Sequence, residues 1–291
     1  MTQRVAWWSR RPAVGRRCRP LGPDDAERVD AALRPDPVGT VTLRSEIALG
    51  ALHEGRLVGV EQGGSGRLCA AVLTAPLLVP WIPDPQDCEL VAAWLRPGAG
   101  RIQLMVGARE TTFALDRALR DRLPPPRLLR RDQPLYVIDR AGLIARPDPA
   151  PPVRRARRDE LASLVRAGAA MHREEVGFDP LAVDPHGFRS RLLTLVDRGW
   201  AFVWTEGEAI VFKAECAAVT PEAVQLQGVW VAPERRGHGL GTRAMAALCG
   251  ELLRSGSERV TLFVNDFNTR AIRVYERVGF TSAGTISSYL Y

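Results

Sequence analysis

The sequence predicts an α/β protein of two similar domains, each a mainly antiparallel mixed sheet flanked by helices. Three observations carry this. The first half alternates strand-like and helix-like segments in the order β-α-α-β-β-α-β-α-β, and the second half repeats it. Between the halves, Arg146–Pro152 holds four prolines in seven residues, too stiff and too poor in N–H donors for a sheet or helix interior. In the second half an apolar strand runs straight into a glycine-rich turn and a helix, from Val229 to Met245.

Residues 1–17 come first. Arg4, Arg10, Arg11, Arg16 and Arg17 occur with no acid before Asp24, and no apolar stretch of a signal peptide follows Ser9-Arg10-Arg11. They read as a disordered Arg-rich tail.

The first domain is placed at 18–146. It opens with a short strand at 19–21 and a helix entered through Pro23-Asp24-Asp25, whose proline and acids suit a first turn. A second helix is expected over Val38–Leu52. Strands at 56–61 and 68–74 flank the turn Gly63-Gly64-Ser65-Gly66, with a continuation at 77–80. A helix at 86–95, a strand at 101–106, a helix at 111–123 stopped by three prolines, and a strand at 128–138 complete it.

A linker at 147–152 precedes the second domain, 153–291. Leu161, Leu164, Val165, Gly168 and Met171 recur at helical spacing within Asp159–Val176. A second helix covers 185–198. Strands follow at 200–205, 209–219 and 224–231, then the glycine turn, a helix to Arg254, a strand at 260–264, a helix at 269–278 and a last strand to Tyr291.

Composition narrows the function. Of 291 residues, 46% are hydrophobic and 25% charged, enough to bury a core. The net charge is +7, yet Lys213 is the one lysine among 40 basic residues. Arginines scattered among Ala, Pro and Gly are weak evidence for a nucleic-acid partner. Five cysteines without a Cys-x-x-C pair, and histidines without ligand spacing, argue against disulfides and metal and for a reducing, cytoplasmic setting. The longest apolar run, 68–83, is broken by Pro76 and Pro80 and is too short to span a membrane.

Arg236-Gly237-His238-Gly239-Leu240-Gly241-Thr242 has the makings of an anion site. Glycines let backbone approach a ligand, and the unpaired N–H groups of a helix's first turn point at it. A Walker-type loop is excluded, since Thr242 and Arg243 follow the last glycine where Lys-Ser/Thr is required. A Rossmann turn, with Asp266 for a ribose, has the wrong glycine spacing, and hairpin strands rather than a βαβ unit precede it.

Arg236 to Gly241 resembles the Arg/Gln-x-x-Gly-x-Gly/Ala signature of the GNAT N-acyltransferase superfamily, after an apolar strand ending Val231-Ala232-Pro233. Asn268 to Phe280 is similar to that family's helix Asn-x-x-Ala-x-x-x-Tyr-x-x-x-Gly-Phe. The resemblance implies an acyl-CoA co-substrate, acetyl-CoA first of all, with its pyrophosphate on the backbone of Arg236, Gly237, His238, Gly239, Leu240, Gly241 and Thr242. It further implies a pantetheine arm along Trp230 and Val231, contact with Asn268, and Tyr275 as the proton donor to the leaving thiolate. The family's usual strand carboxylate is missing: Gln225 and Gln227 stand there. Glu215 is a candidate base, and so are Glu174 and Glu175, which stand in the region that walls the acceptor site in that family and are candidates for binding the acceptor. The implied reaction is acetyl transfer to a primary amine of a small molecule or protein. The alternative is a catalytically silent acyl-CoA-binding sensor or interaction protein. In the first half Pro80–Asp87 replaces the glycine turn, so that domain resembles a degenerate GNAT copy of a tandem protein.

Overall fold

The computed structural model describes residues 15–144 and 151–291. The expected tail lies outside these residues up to position 14, and most of the linker, up to position 150, does too. Contacts divide the chain into two compact units. One runs to Gln133 and includes Gly284–Tyr291; the other is Pro134–Ala283.

The first unit contains β1 (Arg16–Leu21), α1 (Ala26–Leu33), α2 (Val41–Ala48), β2 (Leu57–Gln62), β3 (Leu68–Leu73), β4 (Leu77–Trp81), α3 (Asp87–Leu95), β5 (Leu104–Ala108) and α4 (Arg109–Ala118). Its strands run in the order β1-β2-β3-β4-β5, and the end of β12 (Thr281–Leu290) pairs antiparallel with β5, Tyr289 opposite Met105. Only β4 and β5 are parallel neighbours. Alternation along β3 sends Ala70 and Val72 to one core and Ala71 and Leu73 to the other, as a sheet covered on both faces requires. Tyr289 and Tyr291 lie within the first of these cores, and the Tyr291 hydroxyl donates to Asp116 at 3.1 Å.

The second unit contains β6 (Leu128–Asp139) from Pro134 onward, β7 (Arg154–Arg155), α5 (Leu161–Val176), α6 (Pro180–Val183), α7 (Pro185–Asp197), β8 (Ala201–Glu206), β9 (Ala209–Val219), β10 (Ala223–Val231), α8 (Leu240–Arg254), β11 (Arg259–Phe263) and α9 (Thr269–Val278). The strand order is β6-β11-β10-β9-β8-β7, and again only one neighbouring pair, β10 and β11, is parallel. One core joins the sheet to α5, α7, α8 and α9 through Leu164, Leu192, Phe212, Met245 and Val278.

The first unit is thus five consecutive strands plus the end of β12, whereas the second is six consecutive strands, β6 to β11. Residues 134–144 go with the second unit and 284–291 with the first, so the units are not the two segments flanking the proline-rich stretch. Arg16 and Arg17, expected in the tail, belong to β1 and face Gln62 and Glu61. The expected helix at 38–52 is formed over Val41–Ala48, and the short α6 was not anticipated. Among the described residues no helix is long and apolar enough to cross a membrane.

Candidate active site

β10 leaves its parallel neighbour early. Ala223–Leu226 pair with Arg259–Leu262, after which β10 continues to Val231 while β11 stops at Phe263. On its other side the register with β9 slips between Gln227 and Trp230, a bulge centred on Gly228 at φ +58°. Gln227, Gly228, Val229 and Val231 are half-buried, and the rest of the strand is buried. Beyond Leu226 the edge of β10 on the β11 side has no strand partner among the described residues.

At its far end β10 is tied back by Ala232 N–H, which donates to Val211 O at 2.9 Å. The chain then turns through Pro233–Arg235, and Gly237 and Gly239 take φ of +84° and +76°. Gly239 is the N-cap of the 15-residue α8, and no side chain caps that end. The first-turn N–H groups therefore remain available to an anion. A Cβ on Gly241 would lie 3.3 Å from Val231 Cγ2, so helix and strand meet closely here. Leu240 is buried, whereas His238 is exposed and Thr242 half-buried.

Arg236 does not point freely outward. Its Nε donates to Val231 O at 2.9 Å, and a terminal nitrogen lies 2.7 Å from a Glu174 oxygen. The other Glu174 oxygen accepts from Trp230 Nε1 at 3.3 Å. Glu174 thus clamps the end of α5 to the end of β10. Glu175 follows it on α5 and is exposed. α5 ends at Gly177, in the left-handed region at φ +82°.

Asn268 caps α9, its Oδ1 accepting from Ala271 N–H at 3.1 Å, and Gly279 at φ +117° ends that helix. Tyr275 is buried against the rings of Tyr136 and Phe280, at centroid distances of 6.5 and 5.8 Å. Burial, reinforced by the charge of Glu175, pushes its hydroxyl well above the usual phenol range. It stays a neutral donor.

Glu215 and Lys213 point from β9 to the face covered by α5 and α7. Lys213 is fully buried; its Nζ lies 2.8 Å from Glu215, 2.9 Å from Gly228 O and 3.6 Å from Met171 Sδ of α5. Arg191 of α7 reaches the other Glu215 oxygen at 3.1 Å. Burial by itself would raise the Glu215 pKa, but the two cations outweigh it and hold the carboxylate below its ordinary value. Both oxygens are engaged, so as a proton acceptor Glu215 is poorly suited. Sequence reasoning assigned no role to Lys213, Arg191 or Gly228. The available signals were a glycine inside a strand pattern and the single lysine within an apolar run.

In the first unit Asp84 and Asp87 stand where the glycine turn would be, and Arg16 binds them at 2.9 and 2.7 Å. A paired carboxylate occupies the start of α3 instead of a row of open N–H groups.

Residues 169–280 match the acetyltransferase (GNAT) family, and residues 55–164 match a domain of unknown function, DUF4081, which fits a degenerate first copy. A mycothiol acetyltransferase from Thermobispora bispora is 40% identical over 100 residues, 34% of this chain and 31% of that protein. The chain spans about a third of the length of the curated relatives it matches. Among solved structures, a GNAT-family acetyltransferase from Colwellia psychrerythraea covers 94% of this chain and 99% of its own, at TM-score 0.58 and 14% identity. A tandem GNAT protein from the clavulanic acid biosynthesis pathway covers 94% and 98%, at TM-score 0.52 and 15% identity. These last two bear on the fold alone.

Proposed function

From the premise that residues 169–280 are a GNAT acetyltransferase domain, we propose that the chain transfers acetyl from acetyl-CoA to a primary amine. The observation carrying this is the uncapped N-terminus of α8, with its two left-handed glycines, at the end of a strand whose edge lies open. Backbone N–H groups at 237–242 would take the pyrophosphate, and the free edge of β10 at Trp230 and Val231 would take the pantetheine amides. Asn268 is committed to capping α9, so its contact with the co-substrate would involve its remaining amide donors.

In the reaction the amine lone pair attacks the thioester carbonyl carbon, the C–S bond breaks, and the sulfur leaves with the proton of the Tyr275 hydroxyl. The amide nitrogen loses its proton, and Tyr275 regains one through solvent. Glu175, whose charge bears on the Tyr275 hydroxyl, is the carboxylate we assign to the acceptor side, where it receives the amine proton.

A second reading, an acyl-CoA-binding protein without turnover, is favoured by the glutamines at 225 and 227 in place of a strand acid. Calorimetric titration with acetyl-CoA tests the site: folded protein that fails to bind at millimolar ligand overturns both readings. Binding without thiol release across an amine panel selects the second.

A further inference from the structure

We infer that Lys213 is a positioning residue for acyl transfer, acting through the peptide between Gly228 and Val229. This rests on the acyl-CoA reading above and adds a residue to it. The starting point is an expense without a structural return: an ammonium and a carboxylate lie inside the unit, Lys213 fully buried and Glu215 2% exposed. Removing two charges from water is seldom repaid by their mutual attraction, so such a pair is weak evidence for stability. What it does here is local. One Lys213 donor is spent on the carbonyl oxygen of Gly228, 2.9 Å away, in the bulge where β10 slips against β9.

That carbonyl controls an N–H. The Gly228–Val229 peptide is not cis, and in a trans peptide the C=O of one residue and the N–H of the next point in opposite directions. Lys213 therefore fixes the Val229 N–H to leave the chain on the side away from itself. A cation on the oxygen also draws density through the amide and makes that N–H a stronger donor. Gly228 is suited to the arrangement on two counts. Its φ of +58° is left-handed, and a Cβ would lie 3.0 Å from Lys213 Nζ and 3.2 Å from Glu215 Cδ. A side chain here would crowd the ion pair and meet the strain of a left-handed φ. β11 has already parted from β10 at Leu226, so among the described residues no strand pairs with this stretch from that side. Val229 N–H is then a preorganised donor for the acyl carbonyl oxygen, where negative charge develops during attack. Glu215 neutralises Lys213, and Arg191 engages the remaining Glu215 oxygen, keeping the ammonium on Gly228.

The test replaces both charges together, Lys213→Met with Glu215→Leu, so that no lone charge is left buried. The readout is the infrared band of the thioester carbonyl in carbon-13-labelled acetyl-CoA, which needs no known acceptor. In the wild type the bound band is expected below its solution frequency, and in the double variant back near it, with Kd for acetyl-CoA changed less than about threefold. With a competent amine, kcat falls about 100-fold while KM for acetyl-CoA holds. An identical shift in both proteins, or no shift in the wild type, overturns the proposal. If the wild type does not bind acetyl-CoA, the acyl-CoA reading fails first. If that variant does not fold, Lys213→Gln with Glu215→Gln takes its place on the same readout with the same outcomes, and a Val229 amide proton that does not move when acetyl-CoA is added to the wild type overturns the proposal.

Discussion

Glu174 at the end of α5 and Arg236 at the glycine turn form an ion pair at 2.7 Å, with Glu174 also accepting from the Trp230 indole at 3.3 Å. The pair neutralises the cation at the start of the glycine turn that leads into α8. Both side chains are partly exposed, 30% and 40%, so the bond itself contributes about 1 kcal/mol at most. Glu174→Gln is expected to free Arg236 for phosphate and to tighten acetyl-CoA binding about two- to fivefold at low salt. Calorimetry at low and high ionic strength checks this; the gain shrinks as salt rises.

Tyr275→Phe removes the proton donor but keeps the ring that packs on Tyr136 and Phe280. Thiol release should fall about 100-fold, with acetyl-CoA affinity unchanged. Because burial raises the hydroxyl pKa above its ordinary value, the wild-type rate should show no loss from Tyr275 ionisation at neutral pH.

Gly239→Ala meets no atom within 4 Å, so its whole effect comes from φ of +76°. A strain of about 1–2 kcal/mol would reshape the entry to α8. Acetyl-CoA binding should weaken about tenfold, a larger loss than the small shift in melting temperature would suggest.

Glu160 accepts from Arg154 and from the Arg157 backbone N–H, which bring its pKa from 4.5 to about 2. A depressed carboxylate stabilises the fold above its unfolded value, and that contribution is lost as pH falls through the folded value. The wild type should therefore be more stable than Glu160→Gln at pH 7. Denaturant titrations should show the gap closing between pH 4.5 and about 2.

Tyr289→Ala empties a buried position in the first unit, where the ring meets Phe113 edge-on at 6.1 Å and stacks near Tyr291. Loss of such an aromatic costs about 3–5 kcal/mol. Calorimetric unfolding should show a destabilised first unit, although the substitution lies far in sequence from Met105, which it faces in the sheet.

Much of this was legible in the residues. Apolar periodicity located nearly all the strands and long helices, because side-chain alternation is a local property of the backbone. The glycines at 237 and 239 marked the turn into a helix for the same reason, a left-handed φ being a demand made by one residue, whereas Asn268, read as a co-substrate contact, was shown only by the structure to cap α9. The helix expected at 38–52 came out shorter, since packing decides how far a weakly patterned helix extends.

Chain order was the less reliable guide to partnership. By itself the sequence determined the element order, the glycine turn at the end of a strand and the helix carrying Tyr275. Only the tertiary structure decided that 284–291 complete the first unit's sheet and 134–139 the second's, that Arg16 neutralises Asp84 and Asp87, and that Lys213 grips Gly228. Strand pairing and buried ion pairs are fixed by contacts between residues far apart in the chain. A pattern read along one strand specifies which face is apolar, but not which edge it will meet.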